Sequence, residues 1–190
     1  IVGSIGYDDI ETPVVTGSDV LGGSAVHAGV SAVFHLPQTS EGINRVGLVA
    51  PIGQDFSNSH QSKLENLGID LSGVEKLPGK TFRWSGRYSG TMENVETIST
   101  EVNVLGDFVP EIPEQWKSPN ILFCANTHPA SQVLVLDQCP SSEITAIDTF
   151  MLWIETEFEN LSSALRKADL AILNEEEVCA ISGEDIFMKA

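Results

Sequence analysis

Apolar and polar positions alternate along the chain in two different periods, and the change from one to the other divides it. IVGSIGY (1–7) reads as a strand. SAVHAGVSAVFHL (24–36) is small and apolar and reads as a buried helix following the Gly22–Gly23 pair. RVGLVAPIG (45–53) reads as a second buried strand. FSNSHQSKLENLG (56–68) reads as a helix ending at Gly68, with Asn58 or Ser57 near its start.

The period then drops to two. GKTFRWSGRYSG (79–90) and NVETISTEV (94–102) alternate around the turn residues SGTMEN, which predicts a hairpin with one polar face rather than a buried parallel strand. ETPVVTGSDVLGG (11–23) supplies a further strand of this kind. A small sheet is therefore expected as an insertion in an α/β frame, with its strands at about 9–21 and 80–104.

After Pro110 the helix–strand rhythm returns. NILFCAN, EITAIDT and DLAILN read as strands. ASQVLVLDQ, IETEFENLSSALRKA and EEEVCAISG read as helices, the second with Ile154, Phe158, Leu161, Leu165 and Ala168 on one face. Such alternation predicts a mostly parallel sheet flanked by helices, whose ligands bind at the carboxyl ends of the strands.

Charge and length narrow the function. The 190 residues carry a net charge of −17 with only ten lysines and arginines, which argues against nucleic acid and against anionic membrane surfaces. No apolar run is long enough to span a bilayer. The three cysteines, Cys124, Cys139 and Cys179, are widely spaced and odd in number, and they read as reduced thiols of a cytoplasmic protein. The chain opens without Met and on a strand-like residue, so it is expected to lack its true N-terminus.

Four polar residues fall at predicted strand ends: Asp8, Asn126, Asp148 and Asn174. In a parallel sheet such ends share one edge, although Asp and Asn also favour turns and helix N-caps. Gly22–Gly23 before an apolar helix is either a place where backbone approaches a ligand or a tight turn. Arg83, Trp84, Arg87 and Tyr88 on the hairpin suit a lid, a dimer contact or a solvated excursion. His27, His35, His60 and His128 show no metal-ligand spacing, and the dinucleotide, P-loop and hydrolase-elbow motifs do not occur.

In order along the chain stand GSIGYDD, LGGSAVHAGVSAVF, VGLVAPIGQDF, LENLGIDLSGV, KTFRWSGRY, AIDT and LNEEEVCAISGE. Together these resemble the ribokinase-like, or PfkB, family of carbohydrate and nucleoside kinases. The resemblance implies a ribokinase-like α/β domain over 1–190 with an inserted β-sheet lid, incomplete at its carboxyl end. It implies phosphoryl transfer from ATP, with Mg²⁺, to a hydroxyl of a sugar or nucleoside-like substrate. Asp8, Gly22, Gly23, His27, Asn103, Asn126 and Asp148 would contact or neighbour the substrate, and Arg83, Trp84 and Arg87 would belong to the lid. Asn174 and Glu177 match the family's N-x-x-E motif and would organise metal and phosphate. Apart from the resemblance, the exposed face of the lid sheet equally suits a homodimer contact, since such a face seeks a partner.

The chain departs from the pattern in three places. His27 stands where many members have Asn. Met151 in DTFMLW replaces an expected polar residue. The G-A-G-D segment that carries the family's catalytic aspartate is not among these residues, so no catalytic base is assigned. The expectation is thus a fragment of a kinase. The alternative is a catalytically inactive kinase-like protein acting as a binding or structural subunit.

Overall fold

The structure, a computed structural model, describes residues 1–36, 46–92 and 94–189; Arg45 of the predicted second strand and Glu93 of the predicted hairpin turn lie outside the described residues. The chain forms two compact units, one of Gly3–Phe108 and one of Val109–Ala190 with Ile1–Val2.

The first unit contains a four-stranded sheet and a two-stranded one. Strands β1 (Gly6–Glu11) and β2 (Thr16–Gly22) are antiparallel, and the helix α1 (Ser24–His35) follows directly. β3 (Val46–Ile52) is almost wholly buried. The helix α2 (Asn58–Asn66) is capped by the Ser57 hydroxyl, which accepts from the Ser59 amide, and it stops before Gly68, whose φ of 84° suits glycine. β4 (Ile69–Lys76) then pairs parallel to β3. β5 (Phe82–Ser89) and β6 (Asn94–Glu101) form the expected hairpin. The four-stranded order is β2-β1-β5-β6.

Three sequence expectations need correction here. The first strand begins at Gly6, not Ile1; Val2 makes only a single bridge to Cys124. Asp8 consequently lies inside β1, not past a strand end. β4 was not expected, because its IDLSGVEK is only partly buried and its apolar residues do not alternate cleanly. β5 does take a parallel partner, β1, although neither is the buried kind of parallel strand.

Small residues let α1 pack close. A methyl group at Gly29 would sit 3.0 Å from the Leu48 side chain, so the helix packs tightly against β3. Leu48, Leu64 and Ile69 are each no more than 1% exposed and form the centre of this unit's core.

The second unit is a parallel three-stranded sheet in the order β7 (Ile121–Cys124), β8 (Ile144–Asp148), β9 (Leu170–Ile172). The helix α3 (Pro129–Gln138) crosses from β7 to β8, with Pro129 in its first turn, where a missing N–H costs nothing. The helix predicted over 154–168 is instead two, α4 (Met151–Thr156) and α5 (Phe158–Lys167), broken at Glu157. There the Thr156 hydroxyl donates back to the Leu152 carbonyl, and the Glu157 carboxylate accepts from the Asn160 side chain. The break turns Phe158 outward, and Ile154, Leu161 and Ala164 form the buried stripe. The last helix, α6 (Glu175–Ser182), ends at Gly183 in the left-handed region. No helix among the described residues is long and apolar enough to cross a membrane.

Candidate active site

In the first unit the sequence brings Asp8, Gly22, Gly23 and His27 together. β1 and β2 pair Gly6 with Gly22, so Gly22 and Asp8 share a sheet face, and a methyl group at Gly22 would sit 2.0 Å from the Asp8 carboxylate. Gly23 has φ 98°, and a methyl group there would meet the Ser4 carbonyl at 2.4 Å. Gly23 is required by its backbone conformation and the close Ser4 carbonyl as the chain turns into α1, while Gly22 leaves room for the Asp8 carboxylate. His27, one turn into α1, holds Nε2 4.0 Å from Asp8 with 71% of its side chain exposed. Interaction with the Asp8 carboxylate raises the imidazole pKa above its ordinary value, against partial desolvation.

The hairpin residues divide between the faces of the sheet. Register and strand alternation place Asp8, Trp84 and Tyr88 on one face and Tyr7, Arg83 and Arg87 on the other. Arg83 pairs with Asp19 and lies 3.6 Å from Asp55, with its guanidinium over the Tyr7 ring. Asp19 is held at φ 52° because its amide, with the Ser18 hydroxyl, donates to Asp9. Arg87 pairs with Glu11 and Glu96 across neighbouring strands. Both arginines expected in the lid are therefore engaged with carboxylates of their own sheet.

The sequence reading missed Asp55, in the GQDF run. Its Oδ1 accepts from both the amide and the hydroxyl of Thr81, each at 2.7 Å, and Thr81 is fully buried. The same hydroxyl accepts from the Gly53 amide. Gly53 lies so close that a methyl group would be 2.3 Å from the Thr81 nitrogen. Burial pushes the Asp55 carboxyl up, but the Thr81 hydrogen bonds outweigh it and hold the group below the usual carboxylate range. Asn103, expected near substrate, completes this latch: at φ 48° it donates from Nδ2 to the Thr81 carbonyl. The entry and exit of the β5–β6 hairpin are thereby tied at one residue.

In the second unit, Asn126, Asp148 and Asn174 do lie at the carboxyl ends of three adjacent parallel strands. Buried Gln132 on α3 binds the ends together, its Nε2 donating to the carbonyls of Cys124, Ala125 and Asp148. Asn126 accepts from the Trp153 indole at 2.9 Å, and Trp153 packs against His128 with ring centroids 5.1 Å apart. Asn174 and Glu177 form a reciprocal cap on α6: Asn174 Oδ1 accepts from the Glu177 amide and Glu177 Oε2 accepts from the Asn174 amide. Glu177 is 5% exposed, whereas Glu175 and Glu176 are open to solvent. Burial, then the charge of Glu177, raise the Asp148 carboxyl above its ordinary range. Met151 opens α4 half-buried and makes no polar contact on this edge. The cysteines are free, and burial pushes the Cys124 thiol up to about 12, which removes it as a nucleophile at neutral pH.

These two sets of features belong to a known fold. The chain has the ribokinase-like fold: it superposes on the nucleoside kinase of Methanocaldococcus jannaschii, described as an archaeal member of the ribokinase family, with a TM-score of 0.69 at 16% identity, covering 96% of this chain and 62% of that one. It matches a Burkholderia thailandensis nucleoside kinase solved with inosine at a TM-score of 0.71 and 13% identity, with coverage of 96% and 62%. In sequence it is 26% identical over 191 residues to a cytidine kinase of Thermococcus kodakarensis, across 98% of this chain and 65% of that protein. The chain thus spans less than two thirds of the length of each. No family model matches. The resemblance read from the sequence is met by these neighbours.

Proposed function

We propose that this chain is the substrate-binding and lid-bearing part of an ATP-dependent kinase that phosphorylates a hydroxyl of a nucleoside or sugar. The observation that carries the reading is the ribokinase-like fold with Asn126, Asp148 and the Asn174–Glu177 cap along one edge of its parallel strands, where such folds bind ligands. The cytidine and nucleoside kinases among its relatives favour a nucleoside.

In this reading Asp8, placed by Gly22 and flanked by His27, accepts hydrogen bonds from substrate hydroxyls. The four-stranded sheet covers the substrate and also pairs with a second copy of the chain. Phosphoryl transfer needs positioning and charge neutralisation more than covalent chemistry from the protein.

The donor set fits a magnesium ion. Asp148 and Glu177 are hard oxygen ligands whose mutual repulsion a cation would relieve, and Mg²⁺ is commonly held by one or two carboxylates with substrate phosphates. No group of three or more His, Cys, Asp or Glu able to hold a metal occurs among the described residues, so phosphates and water would supply the remaining ligands. When bound, the ion would neutralise phosphate oxygens.

The test is ADP release by the intact protein with cytidine, inosine or D-ribose as acceptor, with and without Mg²⁺. Glu177→Gln separates site from scaffold, because Gln preserves the reciprocal cap while removing the charge. The expected result is Mg²⁺-dependent turnover that falls more than about tenfold in the variant, roughly 1.4 kcal/mol, at an unchanged melting temperature. Unaltered turnover removes Glu177 from the site, and no turnover with any acceptor removes the kinase reading.

A further inference from the structure

Trp84 stands beside Asp8 in the parallel register of β1 and β5, on the same face of the sheet and one strand spacing away, roughly 4.8 Å between backbones. Its indole is fixed before any ligand arrives. The ring N–H donates to the Thr97 hydroxyl at 3.3 Å. The six-membered ring lies over Gly86, where a methyl group would be 2.0 Å from Cη2, so the glycine is what allows the ring to settle onto its own strand. Tyr88, two residues further on the same face, meets Trp84 edge-on with ring centroids 6.4 Å apart. This face therefore presents a carboxylate next to a held, uncharged aromatic surface. The two hairpin arginines that would recognise a phosphate point from the opposite face and are ion-paired there.

Resting on the kinase reading above, we infer that Trp84 is the specificity-determining residue of the site: it stacks on the heteroaromatic ring of a neutral nucleoside whose ribose hydroxyls reach Asp8. The held ring gives up little side-chain freedom on binding, and stacking on an aromatic side chain tolerates any base. The same face discriminates against phosphorylated sugars, whose phosphate would meet neither hairpin arginine there, and against plain sugars, which have no aromatic ring to stack.

The experiment measures affinities of the intact protein for cytidine and D-ribose by calorimetry, in the wild type, Trp84→Ala and Trp84→Phe. Cytidine is expected to bind at least about tenfold more tightly than ribose to the wild type. Trp84→Ala should compress that ratio to about threefold or less, while Trp84→Phe, which keeps an aromatic face, should retain most of it. Tryptophan fluorescence gives a second reading that does not depend on the alanine variant folding: cytidine should quench the wild type more strongly than Trp84→Phe, in which Trp116 and Trp153 remain. A ratio unmoved by Trp84→Ala, quenching undiminished in Trp84→Phe, or tighter binding of ribose than of cytidine overturns the inference. If ribose is still phosphorylated, the kinase reading survives that loss. If neither ligand binds and no acceptor supports ADP release, both fall together.

Discussion

Thr81 shows how one side chain can fix a joint. It is fully buried, and its hydroxyl both donates to Asp55 and accepts from Gly53, so replacing it by valine keeps the shape and removes the chemistry. Thr81→Val should cost toward the lower end of about 1–3 kcal/mol, because Asp55 retains some access to water, while Thr81→Ser should restore most of the loss. Denaturant melts of both variants check this; equal stability of Val and wild type would show that the latch contributes nothing. His27 gives a second prediction. Its pKa is raised by Asp8, so the stabilisation from the pair is complete below the unfolded value near 6.5 and is lost as pH rises through the folded value. Titration of the His27 ring by NMR should find it above the ordinary value, and Asp8→Asn should bring it back down. An identical titration in that variant would mean that the two groups do not interact. At this scale the sequence had marked Asp8, His27 and the glycine pair, but not Asp55. An aspartate after a strand looks the same whether it binds a ligand or latches a threonine 26 residues away.

Asn174 and Glu177 answer at the level of the element. The NEEE run suggested chemistry, and the structure assigns two of its members to the start of α6 as a reciprocal cap. A capping role and the proposed magnesium role are compatible, since the Glu177 carboxylate has a second oxygen. Asn174→Ala should destabilise α6 by about 1 kcal/mol. Hydrogen exchange in residues 175–182 should speed up accordingly, and unchanged exchange would show that the cap is dispensable. The helix over 154–168 was legible as amphipathic but not as two pieces. Its break depends on where Glu157 and Thr156 send their side chains, and periodicity does not report that. β4 escaped for the opposite reason: its stabilisation comes from parallel pairing with β3, a long-range contact, rather than from a burial pattern of its own.

At the scale of the whole molecule, the four-stranded sheet leaves apolar side chains in solvent. Val95 is 55% and Ile98 50% exposed on the edge strand β6, an arrangement that invites a partner. With the proposed pairing of copies, sedimentation of the intact protein should give the mass of two chains, and Val95→Glu with Ile98→Glu should reduce it to one. A wild-type monomer would leave the sheet as a lid alone. The sequence by itself determined the α/β alternation, the inserted sheet, the helix ends at Gly68 and Gly183 and the acidic character of the chain. These follow from local periodicity, capping chemistry and summed charge. Only the tertiary structure decided that β1 belongs to the inserted sheet, that Arg83 and Arg87 face away from Asp8, and that Asn103 serves Thr81. Each of those depends on register, and a shift of one residue between strands reverses every side chain's face without altering the local pattern.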